Sequence, residues 1–199
     1  QLDELFLYYQ EDKHIPTEHR VIAIYHGLTE APKENFKGVK NMVSFLNESE
    51  AESNVIYILP NNDAGGDLIR QYILENKLHS HKAYVNIERR EFFKLLASSK
   101  YMIGNSSSGL LEAPVYKKFA VNIGGRQRNR VAGKNVIHAD YSMESIRQAA
   151  EKACSGSSKV DVDIESPYGN APAAPKIVEK LLSWHRRPRS EILDRRLTV

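Results

Sequence analysis

Short apolar runs alternate along this chain with stretches whose apolar residues recur at helical spacing. Residues 21–26, 54–60, 82–86, 101–105 and 120–124 are the runs that predict strands, with 135–139 as a weaker sixth. Between them, helical periodicity predicts helices at about 33–47, 66–77, 89–98, 109–117 and 142–153. Ser142 and Ser145 stand in the first turn of the last of these, ahead of Met143, Ile146 and Ala150 at helical spacing. Strands alternating with helices imply right-handed βαβ units, hence an α/β domain with one parallel sheet and helices on both faces. Pro114 lies early in its helix and removes a backbone donor, so that helix is expected to be short or bent. Two apolar helical stretches, 2–10 and 177–184, fall outside this alternation. Leu5, Phe6 and Tyr9 in the first, and Ile177, Leu181, Leu182 and Trp184 in the second, suit either this domain or a surface absent from the chain. A Ser/Gly/Pro/Ala-rich loop, 156–175, separates the domain from the second stretch.

Composition narrows the partners. With 41% hydrophobic and 27% charged residues in 199, the chain has the makeup of one globular domain plus appendages. No apolar run approaches the ~20 residues of a membrane helix, so no membrane partner is expected. A single cysteine, Cys154, excludes an internal disulfide and favours a reducing, cytoplasmic setting. The chain opens on Gln1 rather than methionine, and it is expected to be a piece of a longer protein. The net charge of +3 is concentrated at one end. Residues 185–199 hold five arginines and two acids, which leaves 23 basic and 23 acidic residues elsewhere. The neutral body provides no basic stripe for a nucleic acid.

Ligands of open parallel sheets bind beyond the carboxyl ends of the strands, and the polar elements of this sequence collect there. His26 ends the first strand, and Asn61-Asn62-Asp63-Ala64-Gly65-Gly66 follows the second. Asn86 ends the third, Asn105-Ser106-Ser107-Ser108-Gly109 follows the fourth, and Gly124-Gly125-Arg126 follows the fifth. The serine run suits a phosphorylated ligand: glycine permits close approach, while hydroxyls, amides and a helix N-terminus donate. No lysine follows Gly109, so it is not a triphosphate-binding Walker loop. Glu112, one turn on, is badly placed for phosphate and well placed to accept from a sugar diol. Arg126 carries a fork-shaped cation on a diglycine and suits a phosphate. Arg130 divides evenly between that role and solvent, and Arg128 faces solvent. His26 is a candidate donor to a phosphate or leaving group. Histidines 14, 19, 79, 81, 138 and 185 are scattered without metal-ligand spacing, and Asp161, Asp163 and Glu165 are expected to face solvent. Neither metal nor cofactor is expected.

Several motifs together resemble the UDP-N-acetylglucosamine 2-epimerase family over essentially the whole chain. They are Met102-Ile103-Gly104-Asn105-Ser106-Ser107-Ser108-Gly109 with Glu112-Ala113-Pro114, Val121-Asn122-Ile123-Gly124 through Arg126-Gln127 to Arg130, the 60–66 segment, and Ser166-Pro167-Tyr168-Gly169. The serine loop is similar to that of the hydrolysing branch, found in sialic-acid and related nonulosonate pathways; the non-hydrolysing enzymes typically carry an Asp-Ser-Gly-Gly-like segment.

The resemblance implies a glycosyltransferase-B type enzyme of two Rossmann-like lobes, of which this chain is the C-terminal one. Residues 1–19 would be the interlobe connection, 20–155 the UDP-binding domain, and 176–199 a helix and basic tail packing on the missing N-terminal lobe. Ser106, Ser107, Ser108 and Gly109, with Arg126 and Arg130, would bind the diphosphate, Glu112 the ribose, and the backbone near Asn86 and Ile87 the uracil. His26 would be the catalytic residue of this lobe. The implied reaction removes the proton on the acetamido-bearing carbon, expels UDP to give a glycal, and adds water to yield N-acetylmannosamine. The carboxylates that move protons would lie in the missing lobe, and the intact enzyme would be a homo-oligomer. This chain alone would bind UDP and turn nothing over.

The chain departs from the family pattern at Gly27, where a proline is usual, at Asn129, where glycine is common, and at Asn170-Ala171-Pro172-Ala173. An epimerase for a UDP-diacetamido sugar, a glycosyltransferase of the same architecture, and a non-catalytic nucleotide-sugar-binding module are the alternative readings.

Overall fold

The computed structural model describes residues 2–18, 20–157, 164–169 and 172–185; the basic tail, Asp161 and Asp163 lie outside the described residues. The elements run α1 (Leu2–Asp12), β1 (Arg20–Ile24), α2 (Pro32–Ser49), β2 (Asn54–Ile58), α3 (Gly66–Asn76), β3 (Lys82–Tyr84) and α4 (Arg89–Ser98). They continue with β4 (Tyr101–Gly104), α5 (Ser108–Leu111), β5 (Phe119–Ile123), β6 (Val136–Ala139), α6 (Met143–Ser157) and α7 (Ala174–His185). All six strands are parallel, in the order β3-β2-β1-β4-β5-β6. That order is doubly wound: the chain builds outward from β1 to one edge, returns to β4, and builds to the other.

Strand alternation creates two cores. Val21, Ala23 and Tyr25 point to one face with Val55, Tyr57, Ile103 and Val121, where α2, α3 and α6 supply Met42, Leu46, Ile73 and Ile146. Ile22, Ile24, Met102 and Ala120 point to the other, where α4 supplies Phe93 and Leu96. Central strands are apolar on both faces because both are covered, which is why they read as unbroken runs. Pro32 begins α2 at a position where its missing N–H costs nothing.

Several elements are shorter than the pattern predicts: β1 stops at Ile24, so His26 lies beyond the strand, and β2 stops at Ile58. The 109–117 helix ends at Leu111 and continues as turns through Lys117, which has a φ of +57°. Pro114 cannot donate within that segment, and the Lys118 amide donates to Ala113 O instead. β3 stops at Tyr84, and residues 85–87 leave the sheet.

The structure places the first unassigned end. α1 packs on α4, with Leu5 buried in the Phe93 cluster. Asp12 is buried and accepts from Arg90 through both carboxylate oxygens, one at 2.8 Å, and from Tyr116 Oη at 3.0 Å. Burial works against charge on Asp12, but the bonds from Arg90 and Tyr116 outweigh it and hold the carboxyl below its usual range. At the far end, Asp3 of α1 accepts from the Ala173 and Ala174 amides at 2.5 and 2.9 Å, capping α7. The apolar side chains of α7 are nonetheless exposed, Ile177, Leu181 and Leu182 by more than half.

Asp12→Asn removes the buried partner of Arg90, leaving it only the exposed Glu11 at 3.0 Å, and should cost about 3 kcal/mol in urea unfolding. The Asp12 contribution should be complete above the ordinary carboxylate range and lost as pH falls through the lowered folded value. A loss below about 1 kcal/mol would place the pair among surface bridges.

Candidate functional site

Crossovers from β1 and β4 leave toward opposite faces of the sheet, so a crevice opens between these two adjacent strands. Asn105 closes its base. The Asn105 amide continues the ladder to Ile24 O at 3.0 Å. Its side chain accepts from His26 N at 2.7 Å and donates to His26 O at 3.0 Å and to Asn35 Oδ1 at 3.3 Å. Asn35, on α2, donates to the same His26 carbonyl at 3.1 Å. The Asn105 carbonyl accepts from Gln127 Nε2 at 2.9 Å and from Arg126 Nη1 at 3.3 Å, drawing in the loop after β5. Gly104 makes the approach possible: its φ is +136°, and a Cβ there would stand 1.9 Å from Ile24 O. Gly27 plays the same part between the loops after β1 and β2, where a Cβ would stand 2.2 Å from Ala64 O.

Above this clasp lies a cleft of about 330 Å³. Ser106, Ser108 and Glu112 line it on one side, Asn86, Ile87 and Arg89 on another, with His26 at its edge and Ile24, Ile58, Phe92 and Phe93 beneath. Six of the residues expected to hold a ligand therefore share one cavity. The serine loop is held by its own bonds, Ser108 N to Ser106 Oγ at 3.3 Å and Ser106 Oγ to Ser108 Oγ at 3.3 Å. The amides of Ser106 and Ser107 meet no acceptor among the described residues. The helix behind them has only four residues, too few for a full macrodipole, so amides and hydroxyls carry the anion-binding capacity here.

Glu112 is the cleft's anionic group. Burial raises its carboxyl above the ordinary range; its own backbone amide, the Arg89 charge and the Ser108 hydroxyl pull it back. Its Oε2 is buried and unpaired, an acceptor awaiting a donor. His26 Nδ1 lies 3.2 Å from Asn61 Oδ1 and 3.4 Å from the Asn61 amide nitrogen. Burial pushes the ring below its ordinary value and the Arg126 charge pushes further, while Asn61 and Asp63 oppose both. The neutral form of the ring is therefore favoured relative to a free imidazole. One tautomer donates Nδ1–H to Asn61 Oδ1; the other accepts the Asn61 amide proton and presents Nε2–H. Arg126 reaches toward Asp63 at 3.6 Å, bridging the loops after β5 and β2.

The remaining expected residues stand off the cleft wall. Gly109 is buried, and a Cβ there would meet Ala120 Cβ at 2.8 Å, so close packing of α5 on β5 accounts for the glycine. Ser107 occupies the N-cap position of α5, and Arg130 is exposed on the turn after β5. Sequence reading missed Asn35 and Gln127, whose polar side chains are buried yet sit in segments that pattern as ordinary helix and loop. It also missed Arg89.

The family model for UDP-N-acetylglucosamine 2-epimerase matches residues 2–182. A UDP-N-acetylglucosamine 2-epimerase from Neisseria meningitidis serogroup B is 42% identical over 102 residues, 51% of this chain and 27% of that protein. The GDP/UDP-N,N'-diacetylbacillosamine 2-epimerase (hydrolyzing) of Campylobacter jejuni is 36% identical over 132 residues, 64% of this chain and 33% of that protein. Among solved structures, UDP-GlcNAc 2-epimerase from Neisseria meningitidis bound to UDP-GlcNAc superposes with a TM-score of 0.70 at 18% identity. That alignment covers 92% of this chain and 53% of the other. The chain thus spans about half the length of that structure.

Two measurements test the site as described. Asn105→Ala leaves His26 N and Asn35 Oδ1 without their partners and should cost about 3 kcal/mol in chemical unfolding. In an NMR titration the His26 ring should titrate below the ordinary 6.5, and Arg126→Gln should move it upward. A downward movement would contradict the assigned electrostatics.

Proposed function

The chain belongs to the UDP-N-acetylglucosamine 2-epimerase family, and within it we propose that it is the UDP-binding half of a hydrolysing enzyme. The observation that carries this reading is the single cleft shared by Ser106, Ser108, Glu112, Asn86 and Ile87, with His26 at its edge. Its chemistry is graded in a way that suits a nucleoside diphosphate. Hydroxyl and amide donors stand at one end for the diphosphate, with Ser107 and Arg126 assisting. The unpaired Glu112 oxygen suits the ribose hydroxyls, and Asn86 and Ile87 the base.

The reaction we assign begins with loss of the proton on the acetamido-bearing carbon of UDP-N-acetylglucosamine. The bond from the anomeric carbon to UDP then breaks, its electrons leaving with the diphosphate, and a glycal remains. Water adds to the glycal and gives N-acetylmannosamine. Negative charge grows on the departing UDP, so donors aimed at it lower the barrier. The Ser106–Ser107 amides and Arg126 are such donors, and His26 in its Nε2–H tautomer is another. The carboxylates that shuttle protons are assigned to a second lobe, on which the exposed apolar face of α7 would pack. A UDP-diacetamido sugar is the second reading, favoured by the name of the Campylobacter relative.

Calorimetry on the 199-residue chain tests the nucleotide half. UDP should bind, and Glu112→Gln should weaken it about tenfold, as loss of a charged hydrogen-bond acceptor does. No heat of binding at millimolar UDP from folded protein would overturn the proposal.

A further inference from the structure

The backbone of His26 is fixed, and the position of its ring proton is not. Asn105 and Asn35 clasp its peptide groups, while Asn61 meets the half-buried ring at Nδ1. The backbone of Asn61 is held as firmly. A Cβ on Gly66 would stand 2.4 Å from Asn61 O, and Arg70 Nη2 donates to the preceding Pro60 carbonyl at 3.1 Å. What can still turn is the exposed Asn61 carboxamide. Its Oδ1 lies 3.2 Å from His26 Nδ1, and the Asn61 backbone nitrogen lies 3.4 Å from the same atom. Its Nδ2 meets no acceptor among the described residues, so turning the side chain over breaks no other bond. One ring nitrogen thus faces an acceptor and a donor of a single residue. It satisfies one at a time: Nδ1–H donates to Oδ1, whereas a bare Nδ1 accepts the amide proton. The shorter contact is the one to Oδ1, which puts the proton on Nδ1 and leaves Nε2 a lone pair.

We propose that Asn61 is a positioning residue that decides which nitrogen of His26 carries the proton, and that the diphosphate of a bound nucleotide reverses that decision. The inference rests on the nucleotide reading above and adds the step by which His26 becomes a donor. A phosphate oxygen repels the Nε2 lone pair and accepts from an Nε2–H. As UDP enters the cleft, Nδ1 gives its proton to water and Nε2 takes one from water, so the ring changes tautomer without changing charge. Nδ1 then accepts from the Asn61 amide, and the carboxamide turns over to bring Nδ2–H where Oδ1 stood. Asparagine suits this task because the two ends of its carboxamide are alike in shape and opposite in hydrogen bonding. Arg126 disfavours the imidazolium, which keeps the change a tautomeric one.

Nitrogen NMR of labelled imidazoles in the full 199-residue chain reads the tautomer directly, because protonated and bare ring nitrogens differ widely in shift. The His26 signal is assigned by its loss in His26→Gln, and about pH 8 keeps the ring neutral, above the ordinary histidine range. Wild type should be Nδ1–H without UDP and Nε2–H at saturating UDP. Asn61→Ala should be Nε2–H under both conditions, since the backbone donor survives and the acceptor does not. Asn61→Asp can only accept, so it should stay Nδ1–H under both conditions and bind UDP about tenfold more weakly, as loss of one hydrogen bond to a charged group does. A merely structural Asn61, or simple repulsion of UDP by the new carboxylate, would alter affinity and leave the tautomers as in wild type. That pattern, or a wild-type ring whose tautomer UDP does not change, would overturn the proposal while leaving UDP binding intact. Failure of wild type to bind UDP in calorimetry would instead overturn the nucleotide reading and the ligand-driven step with it.

Discussion

The C-terminal rim of the sheet depends on how one side-chain amide spans the gap between β1 and β4. At that point the two crossovers diverge, and the main chain alone would leave His26 without a ladder partner. Asn105 supplies one, because a carboxamide has the same donor and acceptor arrangement as a peptide group. It accepts from His26 N and donates to His26 O, so its side chain acts as one more residue of strand pairing. Asn35 and Gln127 complete the amide network from α2 and from the loop after β5. In a dry interior such bonds are strong when all are made and costly when one is missing. Loops from three strands are therefore held in one register, and the serine run is presented to the same cleft as the histidine.

The electrostatics of the rim divide along that clasp. Toward β5 and β2 the charge of Arg126 disfavours the imidazolium form of His26, an arrangement that favours an anionic ligand. Toward α5 the sign reverses, with the half-buried Glu112 as an acceptor. A nucleoside diphosphate carries its charges in the same order, with phosphates at one end and neutral hydroxyl donors at the other. In the proposed pose, a carboxylate beside the ribose would also stay away from the phosphates it would repel.

Much of this was legible in the sequence, for identifiable reasons. Buried parallel strands are apolar on both faces, so Val21–Ala23–Tyr25 and Ile22–Ile24 form one uninterrupted signal. Strand ends are marked by an abrupt change to small and polar residues, and that placed His26, Asn86 and the serine loop on one rim. Lateral relationships were not legible. Nothing local distinguishes an α1 that docks on α4 from one that docks elsewhere; the decision rests on Asp12 meeting Arg90, 78 residues away. Asn105 read as one more polar residue before the serines because its partners come from β1 and α2. Gly109 read as a ligand contact, whereas contact with Ala120 accounts for its lack of a side chain.

The central claim is that one cleft, built over the Asn105 clasp, receives the nucleotide. Mapping backbone amide shifts by NMR as UDP is added locates the ligand without relying on any substitution. The account predicts that perturbed amides cluster at residues 86–89, at 106–112 and at His26, and that α6 and α7 stay silent. Perturbation centred instead on the separate cavity of about 260 Å³ between α2 and α3, lined by Leu28, Phe36 and Leu68, would contradict it.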